Sequence, residues 1–479
     1  MARLSTLVRR DLSVDPEITG VTADSRRVRP GFLFAALPGS SADGRRFVPA
    51  AIDAGAAAIL GGEDLPPIKA PAIRAADPRR AYALAAAAHY GRAPRVVVAV
   101  TGTNGKTSVA AFCRQIFTAL GHSAASMGTL GVRAGDEQLT PPGLTTPDAA
   151  DVAELLARLA DRGVTHLALE ASSHGVDQRR LDGVKLNAAG FLNLTQDHLD
   201  YHLTMEAYRA AKLRLFETLL PRAGMAVLNA DSDAFPVFAA AARVHGHPLM
   251  TVGAMGQGLT LVARRPAPNG QRLRVRAWGD EHEIVLPLAG AFQASNALVA
   301  AGLCVAAGEA PDQVLAALED LQGAPGRLQK VGEGAKGGVA YVDYAHTPDG
   351  LRTVLTALRP HVKGRLIVVF GAGGDRDRGK RPQMGAIAAD LADIAIVTDD
   401  NPRSESPAAV RAEIIAGAKG LEEIAGRAEA IAAAASRLKA GDILVVAGKG
   451  HEQGQDIGGV VHPFDDVAVT AEALGGTCG

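Results

Sequence analysis

The 479-residue chain is too long for one hydrophobic core, and its length points to about three domains. It is 47% hydrophobic and 21% charged, and its 50 basic and 51 acidic residues leave a net charge of −1, which argues against broad electrostatic binding to nucleic acid or an anionic membrane. No stretch reaches the ~20 apolar residues of a bilayer span. Met1–Arg10 carries Arg3, Arg9 and Arg10 without the apolar run of a signal peptide, and Cys113, Cys304 and Cys478 lack metal-type spacing, so a reduced, cytoplasmic protein is expected.

Residues 1–94 alternate short strand and helix signals. Phe32–Leu37 is a strand candidate, Pro49–Ala58 a helix leading into Ile59–Leu60, and Arg79–His89 an alanine-rich helix ended by Gly91 and Pro94. Asp24–Ser25–Arg26 and Ser40–Arg46 are polar turns; standing alone, they read better as solvated turns than as ligand contacts. Residues 95–325 open on the buried strand Val96–Val100 and continue in βα units. Asp148–Arg162 has helical spacing, Val164–Leu169 is a strand ending at Glu170, and Ala188–Leu194 is a strand running into Thr195–Gln196–Asp197–His198. Glu206–Leu219 is a helix carrying Lys212, and Met225–Leu228 is a further strand. Short alternating strands follow at Thr260–Ala263, Arg272–Ala277 and Glu283–Leu286, with Asn269–Gly270 as a hairpin turn, before the helix Phe292–Ala307. Residues 326–479 form another βα series, with strands at Val339–Asp343, Leu366–Phe370, Ile394–Thr398 and Ile443–Ala447. Helices follow at Pro348–Leu358, Pro382–Leu391, Pro407–Ala416 and Ala428–Leu438. Strands separated by helices imply mainly parallel sheets, with ligands bound beyond the strand ends.

The strongest local signal is Thr101–Gly102–Thr103–Asn104–Gly105–Lys106–Thr107–Ser108, between the strand and an amphipathic segment reaching Leu120. Gly102 and Gly105 let backbone N–H groups face a polyphosphate, and the following helix adds its N-terminal dipole. Lys106 suits the outer phosphates and the Thr107 hydroxyl suits Mg²⁺. Val100 stands where the general phosphate-loop pattern has its first glycine, so this loop is a compact variant. Glu170 at a strand end is a plausible Mg²⁺ ligand, although a strand-end glutamate standing alone is more often a surface charge; His198 alone reads equally as an ordinary turn histidine or a ligand, Lys212 alone reads as a solvated lysine, and an ammonium cannot bind Mg²⁺.

Together these segments resemble the Mur ligases, the ADP-forming amide ligases of peptidoglycan stem-peptide synthesis. The resemblance rests on the compact loop, Glu170–Ala171–Ser172–Ser173–His174–Gly175, Asn193–His202, Ala210–Ala211–Lys212, Gly290–Phe292–Asn296, Gly326–Arg327 and Val342–Pro348, in the family's order over nearly the whole chain. Asp400–Asn401–Pro402–Arg403 resembles the tetrapeptide of the diaminopimelate-adding branch; lysine-adding relatives carry another. An arginine there can fork onto the second carboxylate of meso-diaminopimelate, which lysine lacks.

The resemblance implies an α/β fold of three domains: a small UDP-substrate-binding domain at 1–94, a central phosphate-loop ATPase domain at 95–325, and a Rossmann-like amino-acid-binding domain at 326–479. It implies ATP as substrate and Mg²⁺ as cofactor. Gly102, Thr103, Asn104, Gly105, Lys106, Thr107, Ser108, Asn296, Arg327 and Asp343 would contact ATP. Ser25, Ser40, Ser41, Ala42, Thr145, Thr146, Ser172, Gln178 and Arg180 would contact the UDP-N-acetylmuramoyl dipeptide, although Leu144 replaces the asparagine usual before the threonine pair. Arg376, Asp400, Asn401, Pro402, Arg403, Gly448 and Glu452 would hold diaminopimelate. In the family the lysine matching Lys212 is carbamylated, which converts it into an oxygen donor. Lys212 and His198 would then hold one Mg²⁺, and Thr107 and Glu170 another, with Lys106, Lys212, His198 and Glu170 as the catalytic set. A monomer without nucleic-acid or membrane partners is expected. A lysine-adding relative, a folylpolyglutamate synthetase-like ligase, a phosphotransferase or switch-type NTPase and a non-catalytic nucleotide-binding protein are the alternatives; the last two leave Lys212 unexplained.

Overall fold

The computed structural model describes residues 2–39, 43–267 and 270–475. It separates into two compact units: Met1–Leu261 with Ala277–Gly279 and Asn296–Ala317, and Val262–Arg276 with Asp280–Ser295 and Leu318–Gly479. Among the described residues no helix is long and apolar enough to cross a membrane.

Besides the short antiparallel ladder of Ala2–Arg3 with Glu17–Ile18, the first unit is built around two larger sheets. The smaller is four parallel strands in chain order, Gly20–Thr22, Phe32–Ala35, Ala58–Gly61 and Ala72–Arg74. Its core joins Leu33, Leu60 and Ile73 to Tyr82 and Ala86 of the helix Pro78–Tyr90, and reaches Ala149 and Ala153 of the next domain's helix. That helix starts where Asp77 caps the Arg80 N–H and Pro78 occupies the first turn, and it stops at Gly91 in the left-handed region. The helix expected over Pro49–Ala58 is only Val48–Asp53, because the chain reverses through Gly55 at φ 92.

In the larger sheet, strand Val96–Thr101 lies between His166–Glu170 and Ala188–Phe191, parallel to both, and all six of its residues are buried. The continuous Val/Ala run therefore reflects a strand covered on both faces. The register aligns Val100 with Glu170 and Thr101 with Phe191, so the loop, Glu170 and the segment after Phe191 share one sheet edge. Met225–Asn229 and Leu249–Gly253 extend the sheet on one side; Ala124–Gly128 and the antiparallel Gly131–Ala134 and Glu137–Thr140 extend it on the other. This last meander was not anticipated: its strands are short and rich in Ala, Gly and Ser, with little period-2 alternation. The helix expected over Glu206–Leu219 is α-helical only over Met205–Arg214 and finishes as a π-helical turn, Leu215–Leu219.

The second unit is built on six strands ordered Gln329–Glu333, Val339–Asp343, Ile443–Ala447, Leu366–Phe370, Ile394–Val397 and Glu422–Glu423, parallel except for the first. Apolar clusters cover both faces, one around Leu355, Phe370 and Met384, the other around Ile431, Leu438 and Val446. The alternating strands run longer than expected, Leu259–Ala267, Gly270–Ala277 and Asp280–Leu286; Asn269 of the expected turn lies outside the described residues.

Candidate functional site

The glycine loop leaves the buried strand and enters the helix Lys106–Ala119 without a side-chain cap, leaving first-turn N–H groups for a ligand. Gly105 has φ 92, and a Cβ there would collide with Asn296 Oδ1, so Asn296 lies directly against the loop. The loop is pinned from the next strand: the Thr103 N–H donates to the Asn193 carbonyl (3.0 Å) and the Asn104 N–H to Asn193 Oδ1 (2.9 Å). Lys106 Nζ folds back onto the carbonyls of Gly102 and Thr103, each at 2.9 Å.

Glu170 is 3% exposed. Its carboxylate accepts from Thr107 Oγ1 (3.0 Å), the Thr129 N–H (2.8 Å) and Thr129 Oγ1 (3.3 Å). Gly128 provides the space, since any Cβ there would overlap the carboxylate. Hydroxyl and carboxylate oxygens without nitrogen or sulfur suit a hard cation such as Mg²⁺. The same network runs on into other sequence-predicted residues. Thr145 Oγ1 meets Thr129 Oγ1 (2.9 Å), Thr146 Oγ1 donates to the Glu170 carbonyl (3.0 Å), and Ser172 Oγ donates to Thr146 Oγ1 (3.0 Å). Arg180 donates to the Thr146 carbonyl (2.6 Å) and to Gln178 Oε1 (2.7 Å).

Lys212 is fully buried, with Nζ 2.8 Å from the Gly102 carbonyl and 4.5 Å from the Tyr208 ring centroid; Tyr208 Oη in turn meets Thr103 Oγ1 at 3.2 Å. Burial, reinforced by the Lys106 charge, holds the Lys212 ammonium well below its ordinary pKa and favours the neutral amine, the form that adds CO₂. His198 sits at φ 52 with its side chain 45% exposed, and burial lowers its pKa, favouring the neutral ligand form. The amine alone offers no oxygen to Mg²⁺, so this pair fits a cation only with Lys212 carbamylated.

In the second unit Asp343 accepts from the backbone N–H groups of Leu328 (2.6 Å) and Ala345 (2.8 Å), and burial raises its pKa to about 6 against the lowering charge of Arg327. The Arg327 guanidinium lies 4.6 Å over the Tyr344 ring. Asp400–Arg403 meets Gly448–Glu452: Asn401 Nδ2 donates to Glu452 Oε2 (2.8 Å), while Asn401 Oδ1 accepts from Lys449 Nζ (2.9 Å) and the Asp456 N–H (3.0 Å). Arg403, at φ 53, donates to the Gly374 carbonyl (2.6 Å). Asp400 Oδ2 is buried without a hydrogen-bond partner, near the Arg427 guanidinium, and faces Gly448, whose missing Cβ keeps the space open. A buried carboxylate oxygen beside Glu452 is suited to an incoming ammonium.

Residues 17–99 match the description "Mur ligase family, catalytic domain", 100–304 "Mur ligase middle domain" and 326–450 "Mur ligase, glutamate ligase domain". The UDP-N-acetylmuramoyl-L-alanyl-D-glutamate–2,6-diaminopimelate ligase of Caulobacter vibrioides is 69% identical over 99% of both chains, and that of Rhizobium meliloti 55% identical over 96% of this chain and 95% of its own. The chain belongs to the Mur ligase family. A solved Mur ligase of the same name superposes with a TM-score of 0.76 at 33% identity, covering 99% of each chain. Folylpolyglutamate synthase of Mycobacterium tuberculosis shares the fold, with a TM-score of 0.64 at 19% identity over 83% of this chain and 95% of its own. The Mur ligase fold of three α/β domains expected from the sequence is thus present.

Within this Mur ligase, the structure gathers Thr107, Glu170, Thr145, Thr146, Ser172, Gln178 and Arg180 into one network, and Asp400–Arg403, Gly448 and Glu452 into a second. Asn296 lies in the first unit, Arg327 and Asp343 in the second. Ser25 sits in a 3₁₀ turn capped by Asp24; Ser40, Ser41 and Ala42 fall outside the described residues. Arg376 is exposed, as is Leu144 beside the threonine pair. Thr129, Tyr208 and Lys449 were missed. Only Lys449 had a signal, a lysine between the two glycines of Gly448–Lys449–Gly450; the other two are placed by contacts distant in sequence.

Proposed function

We propose that this Mur ligase joins meso-diaminopimelate to UDP-N-acetylmuramoyl-L-alanyl-D-glutamate, converting ATP to ADP and phosphate, and that it does so as a cytoplasmic monomer. The domain limits are taken as 1–94, 95–325 and 326–479. The observation that carries the choice of amino acid is the cluster of Arg403, Asn401, Lys449, Glu452 and the hydrogen-bond-free Asp400 oxygen, which offers cationic and anionic groups to a zwitterion with an extra carboxylate.

In this reading the first-turn N–H groups of Lys106–Ala119 and the Lys106 ammonium hold the outer phosphates of ATP, while Asn296 contacts the adenine, Arg327 a phosphate and Asp343 the ribose. Thr107 and Glu170 would hold one Mg²⁺, and His198 with carbamylated Lys212 a second. When bound, these ions supply charge neutralisation on the phosphoryl oxygens. Ser25, Ser40, Ser41, Ala42, Thr145, Thr146, Ser172, Gln178 and Arg180 position the UDP-dipeptide so that its D-glutamyl γ-carboxylate attacks the γ-phosphorus. The bond to ADP breaks and an acyl phosphate forms. Arg376, Asp400–Arg403, Gly448 and Glu452 orient diaminopimelate, whose neutral amine attacks the acyl carbon, loses a proton and displaces phosphate.

The purified protein should release phosphate only when ATP, the UDP-dipeptide and meso-diaminopimelate are all present, and far more slowly with L-lysine. Phosphate release indifferent to the amine would refute the assignment. Lys212 should take up label from ¹³C-bicarbonate, giving a carbamate carbon resonance absent in Lys212→Ala, which should also lose turnover.

A further inference from the structure

Two loops of the second unit follow neighbouring parallel strands, residues 371–379 after Leu366–Phe370 and 398–406 after Ile394–Val397, at the edge where such sheets hold ligands. Each carries one of the arginines assigned above to diaminopimelate, Arg376 and Arg403. Each also holds a β-substituted residue in the left-handed region, Asp375 at φ 52 and Arg403 at φ 53. Such conformations persist only where their surroundings over-determine them. The loops are laced directly: the Gly374 N–H donates to the Asn401 carbonyl (2.9 Å), Arg403 Nη1 to the Gly374 carbonyl (2.6 Å), and Ser404 Oγ to Asp375 Oδ1 (2.6 Å). Both arginines flank Gly373, where a Cβ would stand 2.8 Å from Arg403 Nη1 and 3.8 Å from Arg376 Cγ.

Arg381, in the first turn of the helix Lys380–Leu391, has a side chain that is 0% exposed. A cation there opposes the helix dipole, and burying it costs free energy unless it is closely paired. Its guanidinium donates through Nη2 to Glu405 Oε1 (2.7 Å) and the Gly373 carbonyl (3.2 Å). Through Nη1 it donates to Glu405 Oε2 (2.9 Å) and Glu413 Oε2 (2.8 Å). The fork onto Glu405 is therefore bidentate, and Glu405 Oε1 also accepts the Asp375 N–H (2.7 Å). One planar group thus fixes the carbonyl of residue 373, the N–H of residue 375 and the side chain of residue 405, two positions from Arg403. The Arg381 guanidinium holds the Glu405 carboxyl down at about 2, so the pair stays charged at any ordinary assay pH.

We propose that Arg381 and Glu405 are positioning residues for amino-acid selection: their ion pair sets the spacing of Arg376 and Arg403, and with it the preference for an amino acid bearing a second carboxylate. The inference rests on the reading that Arg403 receives that carboxylate. Arg381 is fully enclosed and acts on the substrate only through the two loops it ties together. L-Lysine has no second carboxylate, so its use is indifferent to how these arginines are aimed.

The test compares steady-state kinetics on meso-diaminopimelate and L-lysine in Glu405→Gln, Arg381→Lys, Glu413→Gln and Arg403→Ala. Glu405→Gln keeps the side chain's size but turns an amide NH₂ onto the guanidinium, donor against donor, and opens the fork. Its KM for meso-diaminopimelate should rise about 10-fold or more, while kcat at saturation, the KM for ATP and kcat/KM for L-lysine stay near the parent's, so the selectivity falls by the same factor. Arg381→Lys, a point charge that cannot fork onto Glu405 and reach Gly373 together, should repeat this effect, so the result does not hang on the folding of one variant. Glu413→Gln removes a carboxylate from the same guanidinium but leaves Glu405 in place, and should change neither the KM nor the selectivity. Parental KM and selectivity in Glu405→Gln, or equal shifts in Glu405→Gln and Glu413→Gln, would overturn the proposal. Selectivity unmoved by Arg403→Ala would refute the underlying reading of the site, and this proposal with it.

Discussion

Arg403 holds its guanidinium against the Gly374 carbonyl from a backbone at φ 53, a conformation a β-substituted residue adopts at a cost. The cost is consistent with a residue whose aim matters more than its local comfort. Arg403→Ala is expected to lower kcat/KM for meso-diaminopimelate by ~10²–10⁴-fold and to narrow its advantage over L-lysine, as read by competition assays. Asp343 makes a different prediction. Its folded pKa is raised to about 6 from 3.8, so the native state binds the proton more tightly than the unfolded chain. The associated stability is therefore fully present below the unfolded value and is lost as pH rises through about 6, about 3 kcal/mol in all. Asp343→Asn, which mimics the protonated form, should gain relative to the parent by that order between about pH 4 and about pH 7 in denaturant unfolding.

At the scale of elements, the loop and its helix depend on the absence of one Cβ. Gly105→Ala would force a side chain into the left-handed region, costing ~1–2 kcal/mol, and would drive it against Asn296. The variant should lose at least ~10-fold in ADP affinity by calorimetry, with a stability loss of ~1–3 kcal/mol. Elements with strong local rules were legible. The helices starting near Asp77 and Asp148 have aspartate caps, and the buried strands of both βα series appear as runs of Val, Ile, Leu and Ala. The Ala124–Thr140 meander and the π turn at Leu215–Leu219 were not, because their form follows from packing against neighbours rather than from a repeat in the chain.

At the scale of the molecule, two compact units with separate cores are expected to unfold in more than one step. The buried pair Arg427–Asp466 offers the test, since both side chains are 0% exposed, the pair is joined at 2.6 Å, and Arg427 also donates to the Ala447 carbonyl. Arg427→Met leaves a buried aspartate uncompensated and should lower the transition of the second unit by about 3–5 kcal/mol while leaving the first in place, followed by calorimetry.

The sequence by itself determined the alternation of strands and helices, the phosphate loop with its glycines and Glu170 at its strand end, because each is encoded by spacing or by adjacency within a few positions, while Lys212 and Asp400–Arg403 stood out only through the resemblance to the Mur ligases. Only the tertiary structure decided that Lys212 lies sealed beneath the loop, that Thr129 and Tyr208 complete its surroundings, and that Lys449 and Glu452 close around Asn401. These are contacts of loops at strand ends with one another and with the helix Met205–Arg214, tens to about a hundred residues apart. They are set by the register of parallel sheets, and no local pattern records which loop comes to rest against which.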